Sequence, residues 1–193
     1  LIFNAFGDSF GFSPSIRQYY NAPYGTPLVG DSGWNNAVGY STPSMGGVSA
    51  NVLVAAGEGA ATAKGPNFGA NVLYFGGPLA LTFAAQKVEA QGVLGRGIAA
   101  FPGFASQTAY QLGGSYALGS VKLFAQYGKI STDATADVDT KTLNLSASIA
   151  MGPGSIRLAY GSSKMSTQGS AASPKSTMLT AGYVYSLSKR TDL

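Results

Sequence analysis

The sequence predicts an all-β chain, and within that class a transmembrane antiparallel up-and-down β-barrel. Three observations carry the prediction. Side chains alternate between apolar and small polar along most of the chain, the period of a strand with one greasy face. The alternating runs are close to the ~10 residues of a membrane-crossing strand, about twice the usual soluble strand. Tight turns also alternate with longer Gly/Ala/Ser connections, as in a meander whose two ends differ.

About nine strands follow from these signals. In order, NAVGYST, GVSANVLVAA, NFGANVLYF and LALTFAAQ alternate, though less cleanly than the segments after them. SQTAYQLGGSYA sets Thr108, Tyr110, Leu112, Gly114 and Tyr116 against Gln107, Ala109, Gln111, Gly113 and Ser115. VKLFAQYGK sets Val121, Leu123, Ala125 and Tyr127 against Lys122, Phe124, Gln126 and Gly128. KTLNLSASIA places Leu143, Leu145, Ala147 and Ile149 opposite Thr142, Asn144, Ser146 and Ser148. After the Gly-Pro-Gly of MGPGSIRLAYGSSK, Ile156, Leu158 and Tyr160 face away from Ser155, Arg157, Ala159 and Gly161. STMLTAGYVYSL closes the series, with Leu179, Ala181, Tyr183, Tyr185 and Leu187 on its apolar parity. Tight turns fall near residues 44, 76, 118, 151 and 186, and longer loops are expected at 57–66, 89–105, 131–139 and 165–174.

Composition decides how those faces are read. Charged residues make up 10% of the 193-residue chain, against roughly 25% in soluble domains. A soluble sandwich also alternates, but its outer face is normally charged. Here the polar parity is mostly Ser, Thr, Asn, Gln and Gly, which suits a water-filled lumen, so the apolar face is expected to meet lipid. Tyr110, Tyr116, Tyr127, Tyr160, Tyr183 and Tyr185 lie on that face, as in an aromatic girdle. The chain contains neither Cys nor His, which removes thiol chemistry, the commonest general base and the commonest metal ligand. The net charge of +4 is not gathered into a stripe, so no nucleic-acid partner is expected. No apolar run approaches the ~20 residues of a spanning helix, and the first residues lack the marks of a signal peptide.

Three segments carry a family resemblance. NNAVGYSTPSMGG (35–47) resembles the Asn-Ser-Val-x-Tyr-x-Ser-Pro-x-x-Gly-Gly segment of the Gram-negative general porins of β-proteobacteria. FAQYGK (124–129) and LSKRTDL (187–193) are similar to later strands of that family, in the family's order. The resemblance implies a sixteen-stranded barrel that assembles as a homotrimer, with a long loop after the fifth strand folded into the lumen. On that plan the chain is part of one barrel domain. Residues 1–34 would be the constriction loop, 35–43 the sixth strand, 175–187 the fourteenth, and TDL the start of the fifteenth. Five strands before residue 1 and nearly two after residue 193 would complete it, together with a terminal aromatic residue, so the chain is expected to be incomplete.

The function so implied is passive diffusion of small hydrophilic solutes and ions across the cell outer membrane, without turnover or cofactor. Membrane lipid and lipopolysaccharide would surround the protein. Selectivity would come from charges at the narrowest section. The candidates are the polar-parity Lys122 and Arg157, with Lys129 near a rim, facing Asp8 and Arg17 of the loop; their balance would favour anions. The resemblance also marks a departure: where the family often has Arg, this chain has Gly39, so a wider or less anion-selective eyelet is expected.

Other signals are weaker. GEGAATAKG (57–65) lacks phosphate-loop spacing, and Glu58 and Glu89 sit in separate loops. Asp133, Asp137 and Asp139 lack the full set of a calcium loop, and Ser has no His partner, so neither metal binding nor catalysis is expected. Two other functions remain open at this level. One is an adhesin or receptor barrel acting through its loops. The other is a secreted β-protein binding carbohydrate through Tyr and Trp34.

Overall fold

The computed structural model describes residues 28–30, 34, 36–56, 66–89, 103–188 and 191–192. Its strands are β1 (Ala37–Ser41), β2 (Val48–Ala55), β3 (Asn67–Gly76), β4 (Leu79–Glu89), β5 (Ser106–Leu118), β6 (Val121–Asp133), β7 (Val138–Met151), β8 (Gly154–Thr167), β9 (Lys175–Ser188) and the two-residue β10 (Thr191–Asp192). They form one sheet in the order β1 to β10, each strand antiparallel to the next. This is the meander that the alternating connections predict. The tight connections need glycine; Gly47 shows why. It has φ +84°, and a Cβ there would stand 2.2 Å from the Phe75 carbonyl oxygen.

Period-two alternation becomes two faces through the register. Leu81, Gly114, Ala125, Leu145, Tyr160 and Leu179 stand directly opposite one another across six strands. They therefore share a face. On it Tyr110, Leu112, Leu145 and Leu179 are 48%, 58%, 46% and 79% exposed. On the other face Gln107, Gln111 and Asn144 are only 1%, 1% and 3% exposed. A water-soluble sheet does the reverse. The six tyrosines expected on the apolar parity all lie on the exposed face, where Tyr183 donates to the Met151 carbonyl at 3.0 Å.

β5 to β9 are 13 or 14 residues long, longer than the alternation alone suggested. The loop expected over 131–139 shortens to 134–137, because Ser131 and Thr132 pair with Asp139 and Val138 and extend the ladder. Hydroxyl residues there are strand formers as well as loop residues. The loop expected over 165–174 likewise shortens to 168–174. Charge marks one end of the exposed face. Lys87, Glu89, Lys129, Asp133, Asp139, Lys141, Lys164 and Lys175 all lie toward the long connections, leaving the central band apolar.

Candidate functional site

The polar face is the candidate site. Its described residues are mainly Ser, Thr, Asn, Gln, Gly and Ala, and within β1 to β9 Lys122 and Arg157 are its charged side chains. The register puts both in one lateral row, Lys122–Ser148–Arg157–Gly182. The two basic groups are thus two strands apart, roughly 10 Å at the strand spacing. Lys122 Nζ lies 5.2 Å from the Phe124 ring centroid, a cation–π contact on the same face. Arg157 Nε donates to Ser155 Oγ at 3.4 Å, so its guanidinium leans toward the tight-turn end.

At the opposite end the chain preceding β1 lies on this wall. Leu28 clusters with Ala84, Ala109 and Ile130, all on the polar parity. Gln107 Oε1 accepts from the Val29 N–H at 2.8 Å, and its Nε2 donates to Thr132 Oγ1 at 3.0 Å. Gln86 Nε2 donates to the Val29 carbonyl at 3.0 Å. Two glutamines thus satisfy both main-chain groups of one buried residue, as a chain crossing a wall requires. Gly30 then turns the chain at φ +76°, with Trp34 Nε1 donating to its carbonyl at 3.0 Å. A Cβ on Gly30 would meet that indole nitrogen at 2.8 Å, so only glycine fits.

This geometry separates residues that the sequence reading grouped together. Lys122 stands opposite Ala117, about ten residues along the wall from Gln107, which is roughly 25 Å down a tilted barrel axis. Lys122 and Arg157 therefore lie at the tight-turn end of the polar face, away from the segment at 28–30. Lys129 is corrected outright. It shares the parity of Tyr127 and Leu123, so it lies on the exposed apolar face, where it pairs with Asp139 at 3.2 Å, and not on the polar face. Asp8 and Arg17 lie outside the described residues. Gly39 is on the polar face, in the row Gly39–Leu53–Gly69–Gln86, at the level where Val29 is held.

Gln86 and Gln107 were not singled out in the sequence. Their signal was a long amide near the loop end of a face otherwise made of short side chains. The acidic run finds protein partners: Asp133 accepts from Ser106 Oγ, Asp137 Oδ1 accepts from the Ala134 N–H at 3.3 Å, and Asp139 pairs with Lys129. Trp34 is half-buried, and its indole N–H is committed to the turn at Gly30.

A family model described as "Gram-negative porin" matches residues 2–193. The chain is 34% identical over 168 residues to outer membrane porin protein 32 of Delftia acidovorans, covering 82% of this chain and 44% of that protein. Among solved structures, the anion-selective porin from Comamonas acidovorans aligns with TM-score 0.66 at 30% identity, covering 82% of this chain and 46% of the other. The trimer form of OmpT, an outer membrane protein of Vibrio cholerae, aligns with TM-score 0.61 over 91% of this chain and 59% of that one; at 11% identity it speaks for the fold alone. The chain thus spans less than half the length of its first relatives.

Proposed function

The chain belongs to the Gram-negative porin family, whose relatives here are outer membrane proteins, and from that premise we propose that it forms part of the wall of a general diffusion porin. Small hydrophilic solutes and ions would cross passively, with no reaction catalysed. The observation that carries this reading is the inverted burial. The hydrophobic side of the sheet is exposed, and the hydroxyl- and amide-rich side is covered in part by a crossing segment. Such a sheet is stable only with lipid on one side and water on the other.

We further read residues 1–34 as the constriction loop and 35–193 as roughly strands six to the start of fifteen of a sixteen-stranded barrel, assembled as a homotrimer in lipid and lipopolysaccharide. The docking of Leu28 and Val29 on the polar wall supports the loop assignment. A weak anion preference is read from Lys122 and Arg157, since β1 to β9 carry no acid on the same face. Their place at one mouth and the neutral Gly39 at the loop level keep that preference modest. Planar-bilayer conductance of protein purified from outer membranes, across a salt gradient, tests the reading. Stepwise currents closing in threes, with a small anion-favouring reversal potential, are expected. A folded, heat-modifiable barrel that passes no current would overturn it.

A further inference from the structure

The exposed face carries a feature that solute diffusion does not need. Lys129 stands directly opposite Lys141, Lys141 opposite Lys164, and Lys164 opposite Lys175. Four lysines thus form one unbroken rung across β6 to β9, roughly 14 Å wide at the strand spacing. Like charges directly opposite one another destabilise a sheet. Lys129 is offset by Asp139, but Lys141, Lys164 and Lys175 form no salt bridge among the described residues. The rung is also local. Its continuation the other way is Tyr110, Ala85, Ala70, Val52 and Tyr40, without charge.

Its height identifies what it meets. Strands of an outer-membrane barrel tilt ≈ 35–45°, so each residue climbs roughly 2.5 Å along the axis. Lys129 is nine residues beyond the turn at Gly119–Ser120, placing it roughly 23 Å above that end, at the top of an apolar band about 25 Å tall. Lys141 and Lys164 are each eleven residues from the turn at Gly152–Pro153, roughly 5 Å higher, and Lys175 is higher again. The rung climbs obliquely out of the hydrocarbon at the long-connection end, which in such barrels faces outward. Directly below it on the same strands lie Tyr127, Leu143, Ser162 and Thr177, then Ala125, Leu145, Tyr160 and Leu179. Ammonium groups above, three hydroxyls beneath them and an apolar strip below match an amphiphile with an anionic head and acyl chains.

We propose that Lys141, Lys164 and Lys175, flanked by Lys129, form a docking site for the phosphorylated headgroup of an outer-leaflet glycolipid, lipopolysaccharide, whose acyl chains lie on the strip beneath. The proposal rests on the outer-membrane reading above. A bound phosphate offsets the lysine repulsion, and the graded heights allow contacts to more than one anionic group of the same head. Asp139, one row above Lys141, is held by Lys129, and Asp133, two rows above Lys129 on β6, accepts from Ser106 Oγ.

The test uses protein purified from outer membranes, stripped of lipid in detergent and titrated with purified lipopolysaccharide or its dephosphorylated form. Native mass spectrometry reads bound glycolipid, and bilayer conductance is recorded on the same samples. The triple variant K141Q/K164Q/K175Q is expected to bind lipopolysaccharide at least tenfold more weakly, while K141R/K164R/K175R binds as the parent does. The parent is expected to bind the dephosphorylated form as weakly as the Gln variant binds the intact one. All three proteins should keep heat-modifiable migration and unchanged conductance. Equal binding by the Gln variant, or equal binding of dephosphorylated glycolipid, would overturn the site. So would a Gln variant that retains glycolipid but loses its trimer, which would assign the face to a protein interface. Loss of conductance in every sample would instead sink the porin reading, and the two failures are thereby distinct.

Discussion

Replacing Leu158 by Arg tests the assignment of the two faces most directly. Leu158 is on the exposed face at 45% accessibility, between Ala147 on β7 and Ala181 on β9. It lies five residues from the turn at Gly152–Pro153, roughly 12 Å up the axis and so near the middle of an apolar band about 25 Å tall. A lipid-facing Arg at that depth costs about 2–4 kcal/mol. That corresponds to a fall of roughly 30- to 900-fold in the folding equilibrium. If the same face met water, the substitution would change stability by no more than about 0.5 kcal/mol. Leu143→Arg supplies the depth control. It lies one residue pair below Lys141, roughly 22 Å up, where an interfacial Arg costs about 0–1 kcal/mol. Both variants would be refolded into liposomes and titrated with guanidinium chloride, following tyrosine fluorescence. A Leu158→Arg cost within about 0.5 kcal/mol, or a Leu143→Arg cost larger than it, would refute a lipid-facing band centred near Leu158.

Three further outcomes are expected at the inner wall. Ser148 stands directly between Lys122 and Arg157, so Ser148→Asp should move the reversal potential toward cations while gaining about 0.2–1 kcal/mol of stability per opposed pair; an unchanged potential would remove this row from selectivity. Gly39→Arg brings a guanidinium to the level of Gln86, and its Cβ meets only the flexible Leu53 Cδ1 at 3.2 Å and the Val52 carbonyl oxygen at 3.5 Å. That variant should lower single-channel conductance and raise anion preference, both read in one salt-gradient recording. Gln107→Ala leaves the buried Val29 N–H without its acceptor, weakening the docking of residues 28–30 by about 1–3 kcal/mol. Noisier, larger currents are expected, and quiet currents of parental size would mean that the segment is held elsewhere.

What the sequence made legible followed from its period. Alternation in SQTAYQLGGSYA and KTLNLSASIA fixed which residues share a face, because a strand places every second side chain together whatever its neighbours do. The low charge of the polar parity then argued which face was wet. Strand ends were less legible, since Ser131, Thr132 and Asp139 suit a loop by composition and a ladder by pairing. Partners across strands were the least accessible. Nothing within β6 indicates that Lys129 meets Lys141, nor within β7 and β8 that Lys141 meets Lys164. Those contacts depend on the register, which turn lengths set jointly across the sheet.

The same dependence explains why the charged candidates came apart. Parity within VKLFAQYGKISTD already separates Lys122 from Lys129, since they are seven residues apart and an odd separation reverses the face. Grouping both as pore residues treated charge as evidence of a wet environment. At a membrane surface that inference holds for both sides of the wall: a lysine at the lumen meets water and solute, and one at the outer rim meets lipid phosphate. Height along the strand separates the two uses. Lys122 lies two residues into β6 on the inner parity, beside the tight turn, whereas Lys129 lies nine residues beyond that turn on the outer parity, at the upper edge of the apolar band. Parity and height together place one lysine at the tight-turn end of the polar face and the other on the lysine rung of the exposed face.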